Sequence, residues 1–409
     1  MQRRDVQHLP LGFRQPQGAE REQPGFDVGR NRFRRRWTGG GKGTVHERGL
    51  KDDITAKALG LGFRVVRVTD VDPLSAWDFE VHRRRREGMV GPNERHLRNL
   101  RADPREIMPE AASIVMLARP YVPFAPPLPE GMAGYSAHYR AYPEGRAAAQ
   151  QVASEFERIG VRAVAQPRLP NKALAVWAGL GSYGRNSLVH CPKFGSFVSI
   201  HAILTDAALE RDAPAEICDC GECDACAEAC PTGAIMPGGA VDLRKCVRAY
   251  MDSGEIVPVE LREAYGTSIL GCEACQRACP RNAKALQRAI LPAAEDIKVF
   301  SLAGLFCDDE GQRRERLERM AALVGANYAR ERRVLTDAAI AVGNSGDADL
   351  AAAVARGLEH PHAPVRAHSA WAIGRLGARA VRHALRKALV AEDDPTVARE
   401  IEWALEQVS

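Results

Sequence analysis

Nine of the chain's eleven cysteines lie between Cys218 and Cys279. Seven of these nine form two runs that each end in Cys-Pro: CGECDACAEACP at residues 220–231 and GCEACQRACP at residues 271–280. The first run has the spacing C-x2-C-x2-C-x3-C-P, which is typical of bacterial ferredoxins. In that arrangement three neighbouring thiolates bind one cluster, and the cysteine before proline binds the other. The spacing therefore predicts two [4Fe–4S] clusters and a role in electron transfer.

The spacing also assigns ligands to each cluster. One cluster is expected to bind three cysteines of the first run and the last cysteine of the second: Cys220, Cys223, Cys226 and Cys279. The second run has only three cysteines, so the lone cysteine between the runs is expected to complete the other set: Cys230, Cys246, Cys272 and Cys275. We expect the remaining three to be ordinary thiols: Cys191, Cys218 and Cys307.

Zinc and disulfides are the two alternatives for such a cysteine content. Paired C-x2-C elements also build structural zinc sites, although overlapping triplets that end in Cys-Pro are unusual for zinc. Disulfides need an oxidising compartment, and small disulfide scaffolds lack the rest of this chain. Clusters require free thiolates, so we expect a reducing cytoplasm.

Composition excludes several classes of protein. At 409 residues and 45% hydrophobic content, the chain is expected to form two to four domains. It has no apolar run of about 18 residues, so we expect no membrane span. The start lacks the apolar stretch of a signal peptide, and glycines follow the arginines of residues 31–37.

The net charge of +5 is unevenly distributed. Residues 1–50 carry +6 and the rest of the chain carries −1. The first segment is rich in Gly, Arg and Gln, which is typical of a disordered extension. Such a tail is solvated, reflects a mis-assigned start codon or binds phosphates of a nucleic acid, so the overall charge is weak evidence for an RNA partner.

The pattern of elements predicts three folded domains after a basic extension at 1–50. Helices and strands alternate over 51–215, which predicts an α/β domain. A ferredoxin-like double-cluster domain is expected at 216–292. Beyond it, residues 293–409 have the periodicity of helices, which predicts an all-α domain.

The last domain contains an internal repeat. The glycines of IAVGNSG and WAIGRLG, Gly343 and Gly374, stand 31 residues apart, and Trp371 and Trp403 stand 32 apart. This period predicts stacked helix pairs of the HEAT type. Six residues offer a basic edge that is either a nucleic-acid surface or a solvated face: Arg366, His368, Arg375, Arg379, Arg382 and Arg386.

A glycine turn, GLGSYG at residues 179–184, has the residue spacing of the dinucleotide-binding motif G-x-G-x-x-G but not its structural context. That motif requires a strand before it and a helix after it, whereas here a helical segment precedes the glycines and a strand follows. The turn either lets the backbone approach a bulky cofactor or simply ends a helix.

Taken together, these segments resemble the epoxyqueuosine reductase family over roughly residues 51–409. The resemblance includes NLRADPREIMPEAASIVMLARPY, AGLGSYGRN, both cysteine runs, the KCVRAYM segment and the helical repeats. It implies a base-off cobalamin in the α/β domain, beside the nearer cluster. It further implies an external electron donor, and epoxyqueuosine at the wobble position of a tRNA anticodon loop as the substrate. We expect a monomer.

The resemblance also implies cobalamin contacts, carried over by motif. They are Arg101, His138, Gly179, Gly181, Tyr183 and Asn186. One departure concerns the family's aspartate proton donor, which aligns with Ala165. No carboxylate occurs between Val161 and Gly184, and an alanine cannot protonate the departing oxygen. The sequence therefore leaves the catalytic acid unassigned.

Two other functions remain open at this point. The missing aspartate favours a cobalamin-dependent reductase of another small substrate, similar to reductive dehalogenases. A two-cluster electron carrier or tRNA-binding protein without chemistry of its own is the third alternative.

Overall fold

The computed structural model describes residues 49–126, 128–213, 220–251 and 253–409. Nearly all of the expected basic extension and Cys218 lie outside the described residues. Within them the chain builds an α/β unit, a cysteine-rich unit of short helices and a helical unit. None of the described helices is both long and apolar enough to cross a membrane.

The α/β unit is organised around a four-stranded sheet of order β1-β2-β7-β4, in which every pairing is antiparallel. Two-stranded pairings join β3 to β8 and β5 to β6. The strands are β1 Val65–Thr69, β2 Ser113–Pro120, β3 Gly134–Tyr135, β4 Ala163–Ala165, β5 Ser182–Tyr183, β6 Val189–His190, β7 Val198–Thr205 and β8 Ser268–Leu270.

Helices cover both faces of this sheet. The helices of this unit are α1 Leu50–Gly60, α2 Ser75–Arg86, α3 Glu94–Arg98, α4 His138–Arg158 and α5 Asn171–Trp177. Successive side chains of a strand point to opposite faces. Accordingly, Leu117 and Ile203 pack with α1 and α4, whereas Met116 and Leu204 pack with α5.

The amphipathic pattern of residues 145–160 predicts a helix there, but α4 begins seven residues earlier. Its first turns contain Pro143, which lacks an N–H and indicates a break when read from sequence alone. Tyr139, in the first turn, is fully buried against the core of the cysteine-rich and helical units. This tertiary packing places a helix where local sequence does not predict one.

The cysteine-rich unit repeats one short motif. Its helices are α6 Ala225–Glu228, α7 Val247–Tyr250, α8 Val259–Arg262, α9 Ala274–Arg277 and α10 Ala283–Leu286. The residues before α6 and α9, Asp224 and Glu273, have almost the same backbone angles, φ −112° with ψ 7° and φ −112° with ψ 8°. The two cysteine runs therefore adopt the same local conformation.

The remaining helices form the C-terminal unit. They are α11 Ala294–Ile297, α12 Leu302–Leu305, α13 Glu310–Val324, α14 Glu331–Ser345, α15 Ala351–Val354, α16 Ala363–Leu376, α17 Arg382–Ala391 and α18 Pro395–Gln407. A Cβ added at Gly343 of α14 would lie 2.5 Å from the Trp371 ring of α16, and one added at Gly374 of α16 would lie 2.6 Å from the Trp403 ring of α18. The repeat seen in the sequence thus corresponds to the same glycine–tryptophan contact, which occurs once between α14 and α16 and again between α16 and α18.

This contact predicts the effect of Gly343→Ala. The new methyl would also meet the Cα of Ala372 at 3.0 Å, so α14 and α16 must separate, and we expect a loss of about 1–3 kcal/mol in the free energy of unfolding. Gly60→Ala is the matched control, because a Cβ there meets nothing within 4 Å. Urea denaturation of both variants measures the difference; equal stability would mean that the helices do not approach this closely.

Candidate functional site

The first set of four cysteines comes together in the structure. Burial raises the pKa of the Cys226 thiol, and the neighbouring sulfurs of Cys220, Cys279 and Cys223 add to that effect. The pKa of Cys279 is likewise raised, by burial first and also by Cys220 and Cys223. Cys223 is exposed, so this group lies at the surface of the protein.

The second set of four is deeper. Burial raises the pKa of Cys275 to about 12, with further contributions from Cys272 and Cys246. The pKa of Cys246 is also raised, by burial and, to a smaller extent, by Cys230. At Cys230 burial acts in the same direction, but backbone N–H groups near the sulfur outweigh it and the pKa is lowered. The N–H of Ala234 donates to this sulfur at 3.3 Å.

This grouping bears on the zinc alternative. Within the described residues, no three His, Cys, Asp or Glu side chains converge closely enough to hold a single metal ion. One zinc ion draws all its sulfur ligands to about 2.3 Å from one centre. A four-iron cluster holds its ligands further apart, because each sulfur binds a different corner. Each set supplies four thiolates, one for each corner of a four-iron cluster.

A recess opens beside the second set of cysteines. Lys172 of α5 is exposed to solvent, yet burial lowers the pKa of its amine, and the sulfurs of Cys246 and Cys275 partly offset this. A side chain that water reaches but protein surrounds lies in a recess rather than on a convex surface. Its Nζ donates to the carbonyl oxygen of Ser187 at 3.1 Å.

The charge of Arg248 acts on both Lys172 and His138, so the His138 imidazole lies beside the same recess. Tyr121, His138 and Tyr183 are each half-buried. Burial raises the pKa of both tyrosines well above the ordinary range. Burial, together with the positive charge of Arg248, lowers the pKa of His138 to about 4.

The glycine turn lies against its own hairpin. Gly179 has a left-handed φ of 69° just after α5, where glycine is favoured. A Cβ at Gly181 would lie 2.5 Å from the carbonyl oxygen of His190, and one at Gly184 would lie 2.7 Å from His190 Nε2. These two glycines therefore permit the close β5–β6 pairing, a requirement that the motif alone does not reveal.

Asn186 links this turn to the second set of cysteines. Its Oδ1 accepts from the N–H of Leu188 at 3.3 Å. Its Nδ2 is buried and has no hydrogen bond of ordinary length to the described residues. That amide nevertheless lies close enough to Cys275 to offset part of the rise in the thiol's pKa. Asn186 thus lies where the turn meets the cysteines.

Arg101 lies at the surface. Its side chain is half-exposed and pairs with Glu106 at 3.3 Å, and its N–H donates to the carbonyl of Arg168 at 2.8 Å. No contact found in the described part of the chain joins it to the recess. The recess residues that sequence reasoning missed, Lys172 and Tyr121, come from separate elements and carry no motif.

Models of two known families match the chain. A 4Fe-4S double cluster binding domain matches residues 219–282, and HEAT repeats match residues 324–406. Both agree with the units described above.

The chain is similar to curated proteins and to a solved structure. It is 30% identical to the epoxyqueuosine reductase of Escherichia coli over 80% of this chain and 89% of that protein. It is 29% identical to that of Bacillus anthracis, where the match spans 62% of the relative's length. A crystal structure of an epoxyqueuosine reductase with an epoxyqueuosine-modified tRNA-Tyr stem loop shares the fold, with a TM-score of 0.76, 23% identity and coverage of 88% of this chain and 98% of that one.

Proposed function

This chain belongs to the epoxyqueuosine reductase family, and we propose that it reduces epoxyqueuosine to queuosine at the wobble position of tRNA. The observation that carries the proposal is the recess, whose lining residue Lys172 interacts with the sulfurs of Cys246 and Cys275. A chain that only carried electrons would not need a recess beside its deeper cluster.

We propose that the two sets of four cysteines hold the two [4Fe–4S] clusters. The surface set, which includes the exposed Cys223, would receive electrons from an external donor. The deeper set, which includes Cys275, would pass them to the recess. Converting an epoxide to an alkene and water consumes two electrons and two protons, so a pair of one-electron centres suits the reaction.

The recess also suits a cobalamin. The buried Nδ2 of Asn186, which makes no hydrogen bond of ordinary length to the described residues, and the exposed amine of Lys172 can bind its amide and phosphate oxygens. Tyr183 supplies a hydroxyl on a flat, apolar ring. When bound, cobalamin supplies a cobalt centre that takes up electrons one at a time. The protein residues position it, exclude water and deliver protons.

The helical unit is the proposed tRNA surface. Among the basic residues that the sequence suggests, Arg379 and Arg386 are exposed. His368 is fully buried, where its Nε2 accepts from the N–H of Val257 at 3.1 Å. The prediction that His368 offers charge to a nucleic acid is therefore wrong. We further propose that the protein acts as a monomer in the cytoplasm, where free thiolates persist.

The test is anaerobic purification with iron and cobalamin supplied, followed by incubation with epoxyqueuosine-containing tRNA, a chemical reductant and nucleoside mass analysis. Formation of queuosine only when reductant is present is the expected result. A protein that binds both cofactors but leaves epoxyqueuosine intact would contradict the proposal. That outcome would favour a reductase of another substrate, which Ala165 at the aspartate position already suggests.

A further inference from the structure

The proposed reaction needs a proton donor, and Ala165 cannot be one. Ala165 is the last residue of β4 and pairs with Ile203 of β7. Its methyl packs against the core between the sheet, α1 and α4. Residues 161–184 contain no carboxylate, so the proton must come from a side chain on another element.

His138 is placed to supply it. It is the first residue of α4, and its N–H donates to Ser136 Oγ at 3.1 Å, which fixes the start of the helix. The imidazole is half-buried and stands among Tyr121, Tyr139 and Tyr142, with ring centroids 5.7, 5.9 and 5.6 Å away. Neither ring nitrogen hydrogen-bonds to a described residue, which leaves both able to contact a molecule in the recess.

A second histidine lies behind the cage that the rings of Tyr121, Tyr139 and Tyr142 form around His138. The buried imidazole of His201 stacks on Tyr142 at 5.1 Å, and its Nδ1 lies 2.9 Å from Gln166 Nε2. Gln166 directly follows Ala165 and has a left-handed φ of 54°, which is rare for a residue other than glycine. The chain His201–Tyr142–His138 thus runs from the vicinity of Ala165 to the recess.

Glu273, a carboxylate near this cage, already has two polar partners. Glu273 accepts from Ser136 Oγ at 2.5 Å and pairs with Arg277 at 2.7 Å. Its negative charge contributes to the raised pKa of Tyr121. Its Oε1 and Oε2 are thus engaged by the Ser136 hydroxyl and the Arg277 guanidinium, respectively.

We propose that His138 donates the proton that the departing epoxide oxygen needs. The inference rests on the proposed function. One C–O bond breaks as His138 transfers its proton to oxygen and gives a hydroxyl; the second C–O bond breaks with a proton from water and releases water. Two electrons from the external one-electron donor, delivered through the clusters, complete the carbon–carbon double bond.

The electrostatics of the cage support this role. Burial and the facing charge of Arg248 bring the pKa of His138 to about 4, close to that of an aspartic acid at about 3.9. The other titratable groups that face it are Tyr121, Tyr139, Tyr142 and His201, and burial together with His138 and Arg119 lowers the pKa of His201 to about 3. The imidazolium therefore has the acid strength of the carboxylic acid that this chain lacks.

The test compares His138→Gln with the wild-type holoenzyme across pH. Because the protonated form of His138 becomes scarcer as pH rises above 4, kcat/KM of the wild type should fall about tenfold per pH unit between about pH 6 and 8. His138→Gln should lower kcat/KM by about 10²–10⁴-fold and lose this slope, while its Kd for the modified tRNA and its cobalamin absorbance stay unchanged.

His82→Gln is the matched control, since His82 is exposed on α2, and it should behave as wild type. A His138→Gln enzyme that keeps the wild-type slope and rate would overturn the proposal, and so would a loss of activity explained entirely by weaker tRNA or cobalamin binding. If the wild type itself forms no queuosine, the proposed function has failed instead.

Discussion

Replacing Cys246 with alanine is expected to remove one cluster and abolish turnover, and the protein should retain about four iron atoms instead of about eight. Cys246 lies outside both cysteine runs, yet its sulfur interacts with those of Cys230, Cys272 and Cys275. Without it the deeper set has three thiolates and one iron corner lacks its ligand. Iron analysis and electron paramagnetic resonance of the reduced, anaerobically prepared protein measure the loss.

Cys307→Ser is the matched control. The Cys307 thiol donates to the carbonyl of Asp309 at 3.4 Å, far in sequence from either run, so this variant should keep about eight iron atoms. If Cys246→Ala also keeps them, the fourth ligand is another cysteine. Cys218 is close to the first run in sequence but lies outside the described residues, and Cys218→Ala would then show the loss.

The spacing of the thiolates within each cysteine run could be predicted because it is local. Each run fixes the distance between its own thiolates within a few residues, and the two runs adopt nearly the same backbone angles at Asp224 and Glu273. The helical repeat was predictable for a related reason. A glycine that must approach a tryptophan of the next helix recurs with the repeat, as Gly343 and Gly374 show.

The recess was not predictable, because its residues come from separate elements that only the fold brings together. Tyr121 follows β2, His138 opens α4, and Lys172 is in α5. Tyr121 and Lys172 have no motif, and the proline at position 143 obscures the start of α4, where His138 lies. The antiparallel order of the sheet is likewise set by long-range pairing, such as Ala165 with Ile203, rather than by local periodicity.

The cysteine-rich and helical units are joined by a buried ion pair. Arg262, at the end of α8, is 1% exposed, and its guanidinium donates to both oxygens of Glu400 in α18 at 3.0 and 2.6 Å. Its Nε donates to the carbonyl of Val257 at 2.9 Å, and the guanidinium lies 5.4 Å from the centre of the Trp371 ring. The Arg262 side chain thus contacts residues of both units.

Glu400→Ala is therefore expected to cost about 3–5 kcal/mol in the free energy of unfolding, because it leaves the buried Arg262 charge without its partner. The double variant Arg262→Met with Glu400→Leu should recover most of that loss, since it buries no unpaired charge. Glu263→Gln is the control: Glu263 pairs with Arg375 at 2.6 Å on the surface, where such a pair is worth about 0–1 kcal/mol. Anaerobic urea denaturation followed by circular dichroism measures all three. If Glu400→Ala costs no more than Glu263→Gln, the two units do not depend on this pair, and their contact must rest on apolar packing around Trp371.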